Sequence, residues 1–252
     1  MQETVLITGA TAGFGLACSE RFAHEGRQLV IAGRRGKRLA EFKAAHPEVP
    51  VHTMTLDVRD RAQVEKGIAE LPERFSNIDI LVNNAGLALG LSGAQDADMD
   101  DWETMVDTNI KGLLYLTRAV LPGMVKRNRG HIINLGSVAG NYPYPGANVY
   151  GASKAFVKQF SKNLLTDLVT TKIRVTNIEP GLAESEFSIV RFHGDKEKAD
   201  QVYQGTDPLT PDDIAEIVYW VCSVPPHVNI NCVEVMPVCQ SCGPFLIHRD
   251  ED

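Results

Sequence analysis

The chain is predicted to be a single α/β domain, a doubly wound parallel sheet of about seven strands with helices on both faces. Three observations predict it. Short apolar runs alternate with amphipathic segments from end to end, with no repeat, low-complexity stretch or linker between them. The runs are continuously apolar rather than alternating, as strands covered on both faces require. A glycine-rich turn joins the first strand-like run to the first helix-like one. Right-handed crossovers then wind the chain to both sides of one sheet.

In order, Thr4–Thr8, Gln28–Gly33, Val51–Leu56, Ile78–Asn83, Gly130–Leu135 and Ile173–Ile178 read as strands, with Cys232–Met236 as a seventh. Helices are expected near 14–26, 35–46, 60–75, 99–128, 149–170 and 211–223. The last has the clearest start, because Thr210 can cap it, Pro211 suits its first turn, and Asp212 and Asp213 oppose the helix dipole. Residues 182–209 are left as a long connection, of a length that usually signals a lid or disorder, and 237–252 as a tail.

The bulk properties exclude several classes of function. At 252 residues, with 44% hydrophobic and 23% charged residues, the chain is ordinary for a soluble globular protein. A net charge of -7 argues against nucleic acid or an anionic membrane as main partner. No apolar run reaches the roughly 20 residues of a membrane span. The N-terminus enters structure without the pattern of a secretory signal, so a cytoplasmic location is expected. The five cysteines, Cys18, Cys222, Cys232, Cys239 and Cys242, form no paired metal-ligand spacing. They are expected to be reduced and structural, and no metal is expected.

The first turn reads Thr8-Gly9-Ala10-Thr11-Ala12-Gly13-Phe14-Gly15. Glycines there either serve turn geometry alone or let the backbone approach a pyrophosphate at a helix N-terminus. The position between strand and helix favours dinucleotide binding. The second strand ends at Arg34-Arg35, with no acid for a ribose 2'-hydroxyl; guanidinium groups suit a 2'-phosphate instead, which points to NADP. Asp57 and Val58 close the third strand, where they can meet an adenine edge. Asn83, opening Asn83-Asn84-Ala85-Gly86, closes the fourth at the sheet edge where such folds bind ligands. Asn109 sits inside an expected helix that asparagine disfavours, where it either bends the helix or holds a water.

Downstream, Tyr150 and Lys154 are four residues apart at the start of a helix-forming run, hence on one face. Free tyrosine has a pKa of about 10, and a fixed ammonium one turn away is expected to lower it. Ser137 lies thirteen residues before Tyr150 and offers a hydroxyl to the same reacting oxygen.

Together, in this order, these motifs resemble the short-chain dehydrogenase/reductase family across nearly the entire chain. The glycine turn matches Thr8–Gly15, the catalytic tetrad falls on Asn109, Ser137, Tyr150 and Lys154, and the family's Pro-Gly falls on Pro180-Gly181. The wording TGATAGFG, AGRR, HIINLGSVAG and NVYGASKAFVKQFS resembles a narrower group, the NADP-dependent 3-hydroxy acid dehydrogenases. The resemblance implies a Rossmann-like fold, a homotetramer and hydride transfer between NADP(H) and small 3-hydroxy acids such as serine. It implies cofactor contacts from Gly9, Ala10, Thr11, Ala12, Gly13, Phe14, Gly15, Tyr150, Lys154, Pro180, Gly181 and Leu182. Where the family usually has threonine after Pro-Gly, PGLAESEF offers Ser185, to which that contact is carried over. A carboxylate substrate also needs a cation, and Arg191 in the long connection is the candidate, with Tyr144 and Asn148 on the substrate wall. The tetrad is blind to substrate, so a reductase of neutral ketones or 3-oxoacyl thioesters stays open, as does a non-catalytic nucleotide sensor.

Overall fold

A computed structural model describes residues 2–243. The C-terminal FLIHRDED, expected to be part of the tail, lies outside the described residues. Seven parallel strands form one sheet: β1 (Thr4–Thr8), β2 (Gln28–Gly33), β3 (Val51–Thr55), β4 (Ile78–Asn83), β5 (Gly130–Leu135), β6 (Ile173–Pro180) and β7 (Cys232–Val235). Their order is β3-β2-β1-β4-β5-β6-β7, so the winding reverses between β1 and β4 and opens a crevice at their carboxyl ends.

Every residue of β1 is buried, and alternate side chains enter different layers. Val5 and Ile7 pack with Phe22 of α1 (Gly13–His24) and Val218 of α9 (Pro211–Ser223). Leu6 packs with Leu116 and Met124 of α5 (Leu113–Arg127) on the other face. This double burial is why the strands read as continuous apolar runs. The remaining long helices are α2 (Gly36–Ala45), α3 (Arg61–Ala69), α4 (Met99–Val106) and α6 (Asn148–Asp167). The expected cap of α9 is present as a reciprocal pair between Thr210 and Asp213.

Three expectations change. The helix expected over 60–75 stops at Ala69, because Pro72 disfavours helical backbone in the residue before it; a single 3-10 turn, Glu73–Phe75, follows. The long helix expected over 99–128 is interrupted by a π turn, Asp107–Gly112, which carries Asn109. The connection 182–209 contains two short helices, α7 (Glu186–Arg191) and α8 (Lys196–Gln201). Ser185 accepts a hydrogen bond from the Phe187 amide to start one, and Asp195 from the Lys198 amide to start the other. Six residues are too few to show a helical period.

Candidate active site

A cavity of 330 Å³ lies at the carboxyl edge of the sheet, over the β1/β4 crevice. Its floor is the glycine turn. Gly9 and Gly13 have φ of +66° and +48°, which residues with a Cβ rarely adopt. The first turn of α1 has neither a side-chain cap nor an acidic residue, so its amides keep their donors for an anion from outside. Thr11, Ala12, Gly13 and Phe14 line the cavity with Gly9. Ala10 and Gly15 do not. Ala10 is buried and donates its amide to Ala32 O at 3.1 Å. Gly15 is a packing glycine, since a Cβ there would lie 2.4 Å from Gly9 O.

The wall at β2 carries Arg34 and Arg35, and the end of β3 carries Asp57 and Val58, as expected. Hydrogen bonds from Arg59 hold the Asp57 carboxyl below its usual range, against some burial. At the end of β4 the expected residue is displaced by one position. Asn83 points inward, donating to Thr117 Oγ1 at 3.0 Å and Asn134 Oδ1 at 2.9 Å. It is Asn84 that lines the cavity, donating to Thr8 O at 2.8 Å and so tying the glycine turn to β4. Strand alternation explains the shift: neighbouring residues point to opposite sides.

The catalytic candidates arrive from three elements. Tyr150 and Lys154 lie one turn apart on α6, both buried and both in the cavity wall. Ser137 follows β5, and its hydroxyl acts on the Tyr150 phenol, favouring the ionised form. It also accepts from the Ala139 amide at 3.1 Å, which fixes it. Asn109 is buried in the π turn; it accepts from the Leu87 amide at 2.9 Å and donates to Leu87 O at 2.8 Å and Ser153 Oγ at 3.0 Å. Its side chain braces the cavity wall and has no donor left for a water.

Burial dominates the electrostatics of this group. It pushes the Tyr150 phenol up to about 12, although Ser137 and Arg191 act the other way. Burial likewise pulls the Lys154 amine down to about 8. Lys154 Nζ lies 5.8 Å from the Tyr150 ring centroid and donates to Leu135 O at 2.8 Å.

The connection after β6 folds over the cavity. Ser185, Glu186 and Phe187 reach its wall, whereas Pro180, Gly181 and Leu182 lie beside it. Leu182 donates its amide to Gln240 Oε1 at 2.7 Å, and Pro180 O accepts from Ser137 at 3.4 Å. Phe187 stands 5.6 Å from Tyr150, ring to ring. Arg191 comes over the same ring, its guanidinium carbon 5.2 Å from the Tyr150 centroid and 5.2 Å from that of Phe187. It donates to Tyr144 Oη at 2.8 Å, while its Nε is buried and unpartnered among the described residues. Asn148 is placed elsewhere. It donates to Ser92 O at 3.2 Å and lines a second cavity with Asp98, Asp101 and His193.

Arg38 and Glu186 were not singled out from sequence, yet both join the arginine end of the site. Arg38 follows Arg35, the N-cap of α2, by three residues, a spacing that brings the two side chains together over the first turn and was the available signal. Glu186 had none, because its approach depends on how the connection folds. The five cysteines are all unpaired, with Cys18 buried and Cys232, Cys239 and Cys242 exposed.

With this geometry established, similarity to known proteins is informative. A family model described as short chain dehydrogenase matches residues 3–195. The chain is 58% identical over 246 residues to the NADP-dependent 3-hydroxy acid dehydrogenase YdfG of Escherichia coli, covering 97% of this chain and 99% of that protein. It is 52% identical over 252 residues to sulfoacetaldehyde reductase 2 of Chromohalobacter salexigens, covering 99% and 100%. Among solved structures, the closed form of serine dehydrogenase complexed with NADP+ is 57% identical with a TM-score of 0.95, covering 98% of this chain and 100% of that one. The chain belongs to the short-chain dehydrogenase family.

Proposed function

We propose that the protein is an NADP-dependent oxidoreductase acting on the hydroxyl or oxo carbon of small 3-hydroxy acids and similar small anionic compounds. The observation that carries this reading is the placement of Arg191, a cation whose buried Nε has no partner among the described residues, over the ring of Tyr150. A substrate carboxylate on Arg191 brings a hydroxyl a few bonds away to the Tyr150 and Ser137 hydroxyls. The names of the relatives support the same class: a 3-hydroxy acid dehydrogenase, a serine dehydrogenase and a sulfoacetaldehyde reductase all handle small polar substrates.

The residues fit NADP. The uncapped start of α1 and the glycines of positive φ form a cradle for a pyrophosphate, and Arg34, Arg35 and Arg38 supply guanidinium donors for a 2'-phosphate. Asp57 and Val58 stand on the same wall, and Ser185 packs against Gly13, within 3.5 Å of where a Cβ there would lie. When bound, the cofactor accepts or donates a hydride at the carbinol carbon. Tyr150 moves the proton of that oxygen, as acid in reduction and as base in oxidation. Ser137 donates a hydrogen bond to the oxygen as its charge develops. Lys154 contributes a nearby amine for the cofactor's ribose hydroxyls. Asn109 acts as a positioning residue, bracing the wall through Leu87 and Ser153.

We further propose a cytoplasmic homotetramer, with residues 182–209 serving as the substrate lid. In support, no helix among the described residues is long and apolar enough to cross a membrane, and Met99 of α4 and Val125 of α5 are exposed apolar side chains. The test is a panel of serine, allo-threonine, 3-hydroxyisobutyrate, a sulfonate analogue, neutral alcohols and a 3-oxoacyl thioester, each with NADP(H) and NAD(H). Turnover of the anionic substrates with NADP(H) is expected to dominate. Equal turnover of neutral alcohols, or equal use of NAD, would overturn the assignment.

A further inference from the structure

The arginines that the proposed function assigns to a 2'-phosphate already hold an anion. The Glu186 carboxylate, at the start of α7, accepts from Arg35 NH1 at 2.8 Å through one oxygen and from Arg38 NH1 at 2.8 Å through the other. Both arginines are also anchored to the glycine turn: Arg35 Nε donates to Thr11 Oγ1 at 2.9 Å, and Arg38 NH1 to Thr11 O at 3.0 Å. Glu186 and Arg35 both belong to the cavity wall, so this is an arrangement inside the site and not a remote surface pair. Burial opposes ionisation of Glu186, but the two guanidinium groups outweigh it and leave the carboxyl below its ordinary range. The carboxylate is thus charged at neutral pH and bridges the two arginines as one face of a phosphate would.

We propose that Glu186 is an internal competitor for the cofactor's 2'-phosphate, bridging Arg35 and Arg38 until a 2'-phosphorylated nucleotide displaces it, and thereby setting how tightly NADP is held. This rests on the NADP reading and assigns a specificity-determining role to a residue of the connection rather than of β2. Two features favour competition over simple addition. Arg35 and Arg38 each spend a terminal nitrogen on Glu186, which a bidentate phosphate contact would use. A carboxylate left in place would stand beside a phosphate dianion, and like charges at such range repel.

Displacing Glu186 need not release the connection, which is held elsewhere. Gly90 donates its amide to Arg191 O at 2.9 Å, Tyr203 Oη donates to Ala183 O at 3.1 Å, and Arg191 is bonded to Tyr144. Exchange of the carboxylate for phosphate therefore moves one side chain while α7 stays over the cavity.

The experiment measures calorimetric binding of 2',5'-ADP and 5'-AMP to the full chain and to its Glu186→Gln and Glu186→Ala variants, with no turnover involved. The two nucleotides differ only in the 2'-phosphate. Wild type should prefer 2',5'-ADP. Both variants should bind 2',5'-ADP about tenfold more tightly, as expected for freeing two partly exposed ion pairs. Binding of 5'-AMP should change by less than twofold. Unchanged or weaker 2',5'-ADP binding in correctly folded variants, with wild-type preference intact, would overturn the competitor role and leave the NADP reading standing. No preference in wild type would overturn both.

Discussion

Replacing Arg191 by glutamine tests how the site selects an anionic substrate. The substitution keeps a polar side chain over Tyr150 and Phe187 but removes the charge, the buried Nε donor and the hydrogen bond to Tyr144. A hydrogen bond from a charged donor contributes about 1.5–3 kcal/mol. Two unit charges at about 4 Å attract by about 4 kcal/mol at an effective dielectric of about 20, before desolvation is subtracted. A net loss of about 2–3 kcal/mol is therefore expected, which is about 30–150-fold in kcat/KM for L-serine. Since the carboxylate is bound in both ground and transition states, most of that loss should appear in KM. A neutral alcohol of similar size should lose no more than about threefold, through altered packing on the two rings. Arg191→Lys, which keeps the charge but not the planar fork, should fall between. The assay is initial-rate NADP reduction with both substrates and all three proteins. Equal losses on serine and on the neutral alcohol would show that Arg191 only shapes the cavity.

Two further outcomes follow from the site and the core. Tyr150→Phe removes the one group placed to move the proton while keeping the ring against Phe187, so turnover should fall by about a thousandfold or more and calorimetric NADP binding should stay within about threefold. His131 is buried on β5 against Thr176, and burial, with Arg174 adding to it, pulls its pKa from 6.5 down to about 3. The folded state therefore binds that proton less readily than the unfolded chain. Its contribution to stability is present above pH 6.5 and is lost as pH falls toward 3, by about 1.4 kcal/mol per unit within that window. Urea unfolding from pH 7 to 4 should show that slope, and His131→Asn should flatten it.

Much of the fold was legible because its signals are local. Continuous apolar runs such as Val5–Ile7 reflect burial on both sheet faces, and Thr210-Pro211-Asp212-Asp213 announced α9 through capping chemistry that acts within one turn. The errors arose where a neighbour outside the segment decided the outcome. The π turn at Asn109 is held by Leu87 and Ser153, which are 22 and 44 residues away in the chain. The two helices of the connection are too short to carry a period. Asn83 and Asn84 are chemically identical, and only their alternation at the end of β4 sends one into the core and the other to the cavity.

By itself, then, the sequence determined the parallel sheet, the glycine turn at its switch point, the arginine end of the site and the one-turn spacing of Tyr150 and Lys154. These follow from backbone periodicity and from residue types that only certain local geometries tolerate. Tertiary structure alone decided how deeply Tyr150 is buried, and that burial is the largest influence on its phenol. It also decided that Arg191 faces the phenol and that Glu186 bridges Arg35 and Arg38. Those depend on desolvation and on long-range approach, and neither is written in the spacing of residues along the chain.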